Sequence, residues 1–83
     1  NINHYLKNIE ITNDSNGEIE KIEGKLIIHR YSAKGNSSYN ELYLLEFSEI
    51  DGCRLPKMAK FCPLDDLEYQ RPRLTIEIEY TMK

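Results

Sequence analysis

Valine and tryptophan are absent from this 83-residue chain, and alanine occurs only twice. No apolar run approaches the ~20 residues of a membrane-spanning helix, so no membrane association is expected. No glycine pattern forms a phosphate-cradling loop or a dinucleotide fingerprint, and no cofactor is expected. Two cysteines are too few for the cross-linked framework of a small secreted domain. No basic, apolar and small-residue leader opens the chain. The expectation is therefore a cytoplasmic protein with two free thiols, a disulfide between Cys53 and Cys62 being the alternative. The formal charge is only −3, without the broad positive field of a phosphate binder.

What is present is isoleucine, leucine, tyrosine, asparagine, lysine and glutamate, a bias typical of AT-rich coding sequence. The hydrophobic fraction of 40% and balanced charge exclude a disordered chain. At this length one domain, residues 1–83, is expected, with a thin core and little room for a deep active-site cleft.

The apolar residues repeat with a period of two. At the C-terminus Leu74, Ile76, Ile78, Tyr80 and Met82 alternate with Thr75, Glu77, Glu79 and Thr81, which predicts a strand with one dry and one wet face. Ile9 and Ile11 begin a first strand. Asn13–Gly17 is a dense turn cluster, and 18–31 reads as a second strand. There Ile19 falls out of phase with Ile22, Leu26 and Ile28, and Gly24 between them suggests a β-bulge or bend. Residues 32–40 have no apolar period and read as a mobile loop. The run Leu42 to Phe47 fits a central strand covered on both faces, stopped by Asp51-Gly52. Residues 52–62, interrupted by Pro56, read as an edge strand or irregular crossover. Pro63 and the acids after it predict a helix of one or two turns within 63–70. The fold expected is mainly β: four or five mostly antiparallel strands, as a small barrel of the OB type or a compact sheet, with at most one short helix.

No chemical constellation emerges. His4, His29, Cys53 and Cys62 have no zinc-ligand spacing, so no metal is expected. Cys62 is the one nameable nucleophile, but Asp65 and Asp66 oppose its ionisation. Glu77/Glu79 and Asp65/Asp66 suit a solvated strand face and a helix start better than acid–base work. Hence no enzyme is expected. The six tyrosines tilt the reading towards protein contact, since tyrosine anchors interfaces. The expected activity is stoichiometric binding to another protein through Tyr31, Tyr39, Arg54, Lys57, Lys60 and Phe61, residues placed in the two least regular segments. A phage or mobile-element inhibitor of a host protein would fit this description, anti-CRISPR proteins being one such class, as would an immunity protein. The alternative is an OB-like barrel binding single-stranded nucleic acid. It requires Arg54, Lys57, Lys60, Arg71 and Arg73 to share a face with an exposed aromatic.

Overall fold

A computed structural model describes residues 2–81. Five strands follow in chain order: β1 (Ile2–Asn13), β2 (Ile19–Ser32), β3 (Gly35–Ile50), β4 (Cys53–Cys62) and β5 (Leu74–Glu77). Each pairs antiparallel with its neighbour in sequence, giving one sheet of order β1-β2-β3-β4-β5. β1 and β5 are its two edges, so the sheet is open and the barrel alternative does not arise.

Turn chemistry sets the boundaries. Asp51 and Gly52 both take positive φ (51° and 80°), the requirement of a two-residue turn whose twist matches its strands. At the first turn the Asp14 carboxylate accepts the Asn16 and Glu18 amides at 2.8 and 3.0 Å, and Gly17 takes φ 81°. The loop expected over 32–40 is instead a hairpin: only Ala33 and Lys34 turn, and Asn36 to Asn40 pair with Ile27 to Tyr31. Backbone hydrogen bonds carry this extension, and its side chains are all exposed. No apolar alternation was therefore needed there to make a strand.

Irregularities explain the uneven phase of β2. Asn8 and Ile9 of β1 together oppose Gly24, between the pairs Lys7–Lys25 and Glu10–Glu23, and Asn8 has φ 55°. The bulge thus lies in β1, opposite the glycine. A Cβ on Gly24 would stand 3.3 Å from the Lys7 carbonyl oxygen and 3.7 Å from Ile9 Cγ1, so Ile9 fills the space glycine leaves. A second register shift, at Glu20, pairs Ile19 with Asn13 and returns Ile19 to the phase of Ile22.

β4 is an inner strand, not an edge or a crossover. Pro56 is tolerated because the register shifts beside it, between Glu46–Met58 and Phe47–Pro56. β5, moreover, ends its pairing at Met58–Glu77. It is shorter than the alternation predicts, although the Ile78 amide still donates to the Lys57 carbonyl. Met82 lies outside the described residues.

Residues 63–70 form two consecutive turns and no helix. The Asp66 amide donates to the Pro63 carbonyl, and the Tyr69 amide to that of Asp66. The Asp66 carboxylate then takes the Gln70 and Arg71 amides at 3.0 and 2.6 Å. The Asp66 carboxylate thus caps the second turn, and Tyr69, at φ 55°, breaks any helical continuation.

Cys53 and Cys62, both free, sit at opposite ends of β4. A ten-residue strand separates them by roughly 30 Å, which excludes a bond between them.

Candidate protein-binding face

Strand register sorts the side chains onto two faces. One face carries the row Ile11, Ile22, Leu45, Ala59, Ile76 across all five strands. Beside it run Gly24, Tyr43, Phe61 and Leu74, and beyond them Leu6, Leu26 and Glu41, then His4, Ile28 and Tyr39. Tyr43 and Phe61 pack with ring centroids 5.3 Å apart near its centre. Burial alone raises the Tyr43 hydroxyl pKa.

The opposite face is mixed: Lys7, Lys21, Lys25, Glu10, Glu23, Glu46, Lys60 and Glu77 alternate with apolar side chains. The connection between β4 and β5 lies against this side, where Leu44 and Cys62 are buried at 6% and 0% exposure. The Tyr69 hydroxyl donates to Glu23 Oε2 at 2.9 Å. Burial, then the Glu23 carboxylate, push the Tyr69 pKa up to about 12. An open cleft of about 210 Å³ beside it is lined by Asn8, Glu10, Glu23, Gly24, Lys25, Leu42 and Tyr69.

β3 is thus central, as its apolar run predicts, with Leu44 buried on one face and Glu41 on the other, but a connecting segment packs only on the mixed face. On the apolar face Ile2, Leu6, Ile9, Ile11, Tyr39, Leu74 and Ile76 are all more than a third exposed, while Ile28, Glu41 and Ala59 of the inner strands are buried. The dimensions agree. The chain extends over 50 × 31 × 21 Å with a radius of gyration of 15.4 Å, where a globular domain of this length has about 12 Å. Its accessible surface is 6169 Å², about 1,000 Å² above that of a typical 9.8 kDa monomer.

The six residues singled out from sequence do not converge. Tyr39 and Phe61 stand on the apolar face. Tyr31 stands on the other, in a row with His29 and Tyr5 whose successive centroids are 6.0 and 5.3 Å apart. Lys60 shares that mixed face with Thr75 and Leu44. Lys57 reaches the Ile78 carbonyl at 3.5 Å. Arg54 is engaged by Asp14 and by Glu18 from the first turn. Arg71 pairs with Asp65 at 3.0 Å, and Arg73 with both oxygens of Glu41 at 2.5 and 2.7 Å. Arg54 and Lys60 stand on opposite faces, so these bases do not share one, which is the condition set for a nucleic-acid surface; Arg54, Arg71 and Arg73 are moreover paired with carboxylates. Residues of the apolar face outside that set, Ile11, Ile22, Leu45 and Ile76, were legible as strand alternation. What sequence did not reveal is that no second layer of the described chain packs on this face, which leaves Ile11 and Ile76 on the edge strands exposed.

The described residues form no cluster of three or more metal-type ligands. The Cys62 thiol, the nucleophile considered, has its pKa raised by burial and then by the Asp66 carboxylate that accepts its hydrogen bond. At Asp66 burial opposes ionisation, but the Gln70 and Arg71 amides, the Cys62 thiol and the Arg71 guanidinium together outweigh it, so its pKa is lowered. Asp14 is lowered chiefly by the Glu18 amide. A carboxyl whose folded pKa lies below its unfolded value of about 3.9 stabilises the fold fully above that value and loses its contribution as pH falls through the folded pKa. Thermal stability is therefore expected to hold from pH 7 to about pH 5 and to drop below about pH 4. In an acid titration followed by circular dichroism, Asp66→Asn should start less stable and show a shallower drop; an unchanged profile would refute this role.

Fold and face together define an open, single-layer antiparallel meander with one mixed, partly covered face and one uncovered apolar face. Comparison with protein-family models, curated proteins and solved structures finds no match.

Proposed function

We propose that this chain is a non-enzymatic protein-binding module that acts by stoichiometric contact through its uncovered apolar face. The observation that carries the reading is the missing layer. A sheet with a continuous apolar face ordinarily buries it against another element, and no element of the described chain does so. Exposed apolar side chains gathered on one face mark an interaction surface. Tyr39 and the Tyr43–Phe61 pair supply aromatic side chains of the kind that anchor interfaces.

An inhibitor of a host protein carried by a phage or mobile element, or an immunity protein, is the form of this activity that small size and AT-rich composition favour. Two free thiols favour a reducing, cytoplasmic setting. The test is a tagged pull-down from lysate of the source organism, with and without nuclease, alongside an Ile11→Lys/Ile76→Lys variant. Both positions are on edge strands and exposed at 59% and 44%. The reading expects a nuclease-resistant protein at fixed stoichiometry that the variant loses at least tenfold. Capture that nuclease abolishes, or that the variant retains in full, would overturn it.

A further inference from the structure

We propose that the occupant of the apolar face is a second copy of this chain, packed sheet on sheet as a two-fold β-sandwich; this rests on the reading of that face as the docking surface. Three observations support self-association.

The first is area. The surplus surface of about 1,000 Å² per chain is close to the ~800 Å² that each partner gives to a standard stable interface. Covering one chain with another therefore removes about the amount by which each departs from a globular monomer.

The second is chemistry. A two-fold interface sets a patch against itself, so it tolerates no like charge at its centre. The middle rows of this face carry one ion pair, Glu41 with Arg73, whose charges sum to zero; Glu41 is 5% exposed and the Arg73 side chain 55%. The other charges of the face stand towards its ends: Arg30 beside the β2–β3 turn, and Glu49 and Arg54 beside the β3–β4 turn. Apolar centres with charged margins are the anatomy of homodimer interfaces.

The third is charge placement, which selects the axis. Arg30 lies on β2 three residue rows from the Gly24–Tyr43–Phe61 row, and Glu49 on β3 three rows from it in the opposite direction. A two-fold axis running across the strands near that row lays the Arg30 end of each copy over the Glu49 end of the other. An axis along the strands would instead leave both Arg30 side chains at one end of the assembly and both Glu49 side chains at the other. Two sheets so packed lie about 10 Å apart, and adjacent strands about 4.8 Å, a span that an arginine and a glutamate reach together.

The experiment is the molar mass of the full chain by light scattering and sedimentation equilibrium from 1 to 500 μM. Variants are Ile11→Glu/Ile76→Glu, Arg30→Glu, Glu49→Arg and Arg30→Glu/Glu49→Arg, with Glu77→Lys on the mixed face as control. Twice 9.8 kDa is expected for the parent chain and the control. Ile11→Glu/Ile76→Glu should be monomeric. Each single charge reversal should weaken association at least tenfold, and the double reversal should restore it. Arg30 and Glu49 are exposed, so these variants are expected to keep the fold, to be checked by far-ultraviolet circular dichroism. A parent chain of 9.8 kDa at 500 μM would overturn the proposal, as would a dimer indifferent to every apolar-face variant, the mark of pairing along the β1 edge. A monomer that still captures a nuclease-resistant partner sensitive to Ile11→Lys/Ile76→Lys would refute self-association alone. A monomer that captures none would refute the protein-binding reading with it.

Discussion

Leu44→Ala is expected to lower unfolding free energy by about 3 kcal/mol, the middle of the range for deleting a buried leucine side chain. Leu44 stands on the partly covered face of β3 at 6% exposure, on the same side as the fully buried Cys62. The chain has few such positions: among its described residues the buried hydrophobic ones are Ile28, Leu44, Ala59 and Cys62. A domain of this length has a total stability of roughly 4–12 kcal/mol, so one methyl-rich side chain here is a large fraction of it. The melting temperature should fall by roughly 15 °C. Leu67→Ala is the matched control, since Leu67 is 75% exposed in the β4–β5 connection; it should change stability by no more than about 0.5 kcal/mol. Urea denaturation at fixed protein concentration measures both, the concentration being held because association adds to apparent stability. A loss below about 1 kcal/mol for Leu44→Ala would mean that the connection collapses onto the space and that this side holds little of the core.

The second large effect is expected from Arg73. Its guanidinium grips both Glu41 oxygens in the planar, two-bond geometry at which arginine excels. The two partners are unequally placed: Arg73 is 55% exposed at its side chain, Glu41 only 6%. The Glu41 hydrogen bond, the largest influence on Arg73, raises its already high pKa. Removing Arg73 therefore leaves a carboxylate out of water with no counter-charge, which is far more damaging than removing the pair. Arg73→Leu should be less stable than the parent, and Glu41→Leu/Arg73→Leu should recover most of that loss. Equal destabilisation in the single and double variants, measured by the same urea titration, would show that the carboxylate finds water when its partner is gone. The pair also fastens the start of β5 to β3 across β4, so the single variant should loosen β5 first.

The strands were legible because alternation is local. Leu74–Thr75–Ile76–Glu77 announces its two faces without reference to the rest of the chain. The turns were equally legible, since Asn16-Gly17 and Asp51-Gly52 meet a backbone requirement few residue pairs meet. The hairpin over 35–40 was not legible, because its strands are held by backbone hydrogen bonds that leave no mark on side-chain polarity. Nor was the turn structure over 63–70: Pro63, Asp65 and Asp66 suit a helix start equally well. What decided between them is the carboxylate of Asp66 folding back onto the Gln70 and Arg71 amides. The phase of Ile19 and Gly24 signalled an irregularity correctly but not its location. A bulge belongs to a pair of strands, and only the register shows which strand carries the extra residue. The apolar face was written in sequence residue by residue, but its lack of cover is a property of the whole topology. Tyr31 and Tyr39, eight positions apart in one hairpin, illustrate the same limit, since a turn sends them to opposite faces.

The sequential order of the strands has a further consequence. With every strand hydrogen-bonded only to the strands before and after it in the chain, no segment has to wait for a distant one before it can pair. The structure can assemble by accretion from the β2–β3 hairpin outward, and it can come apart in the reverse order, with β1 or β5 peeling away while the inner strands stay paired. Each end of the chain is thus a separable unit of opening, and a lesion in one outer strand weakens the molecule at that border without dissolving its middle.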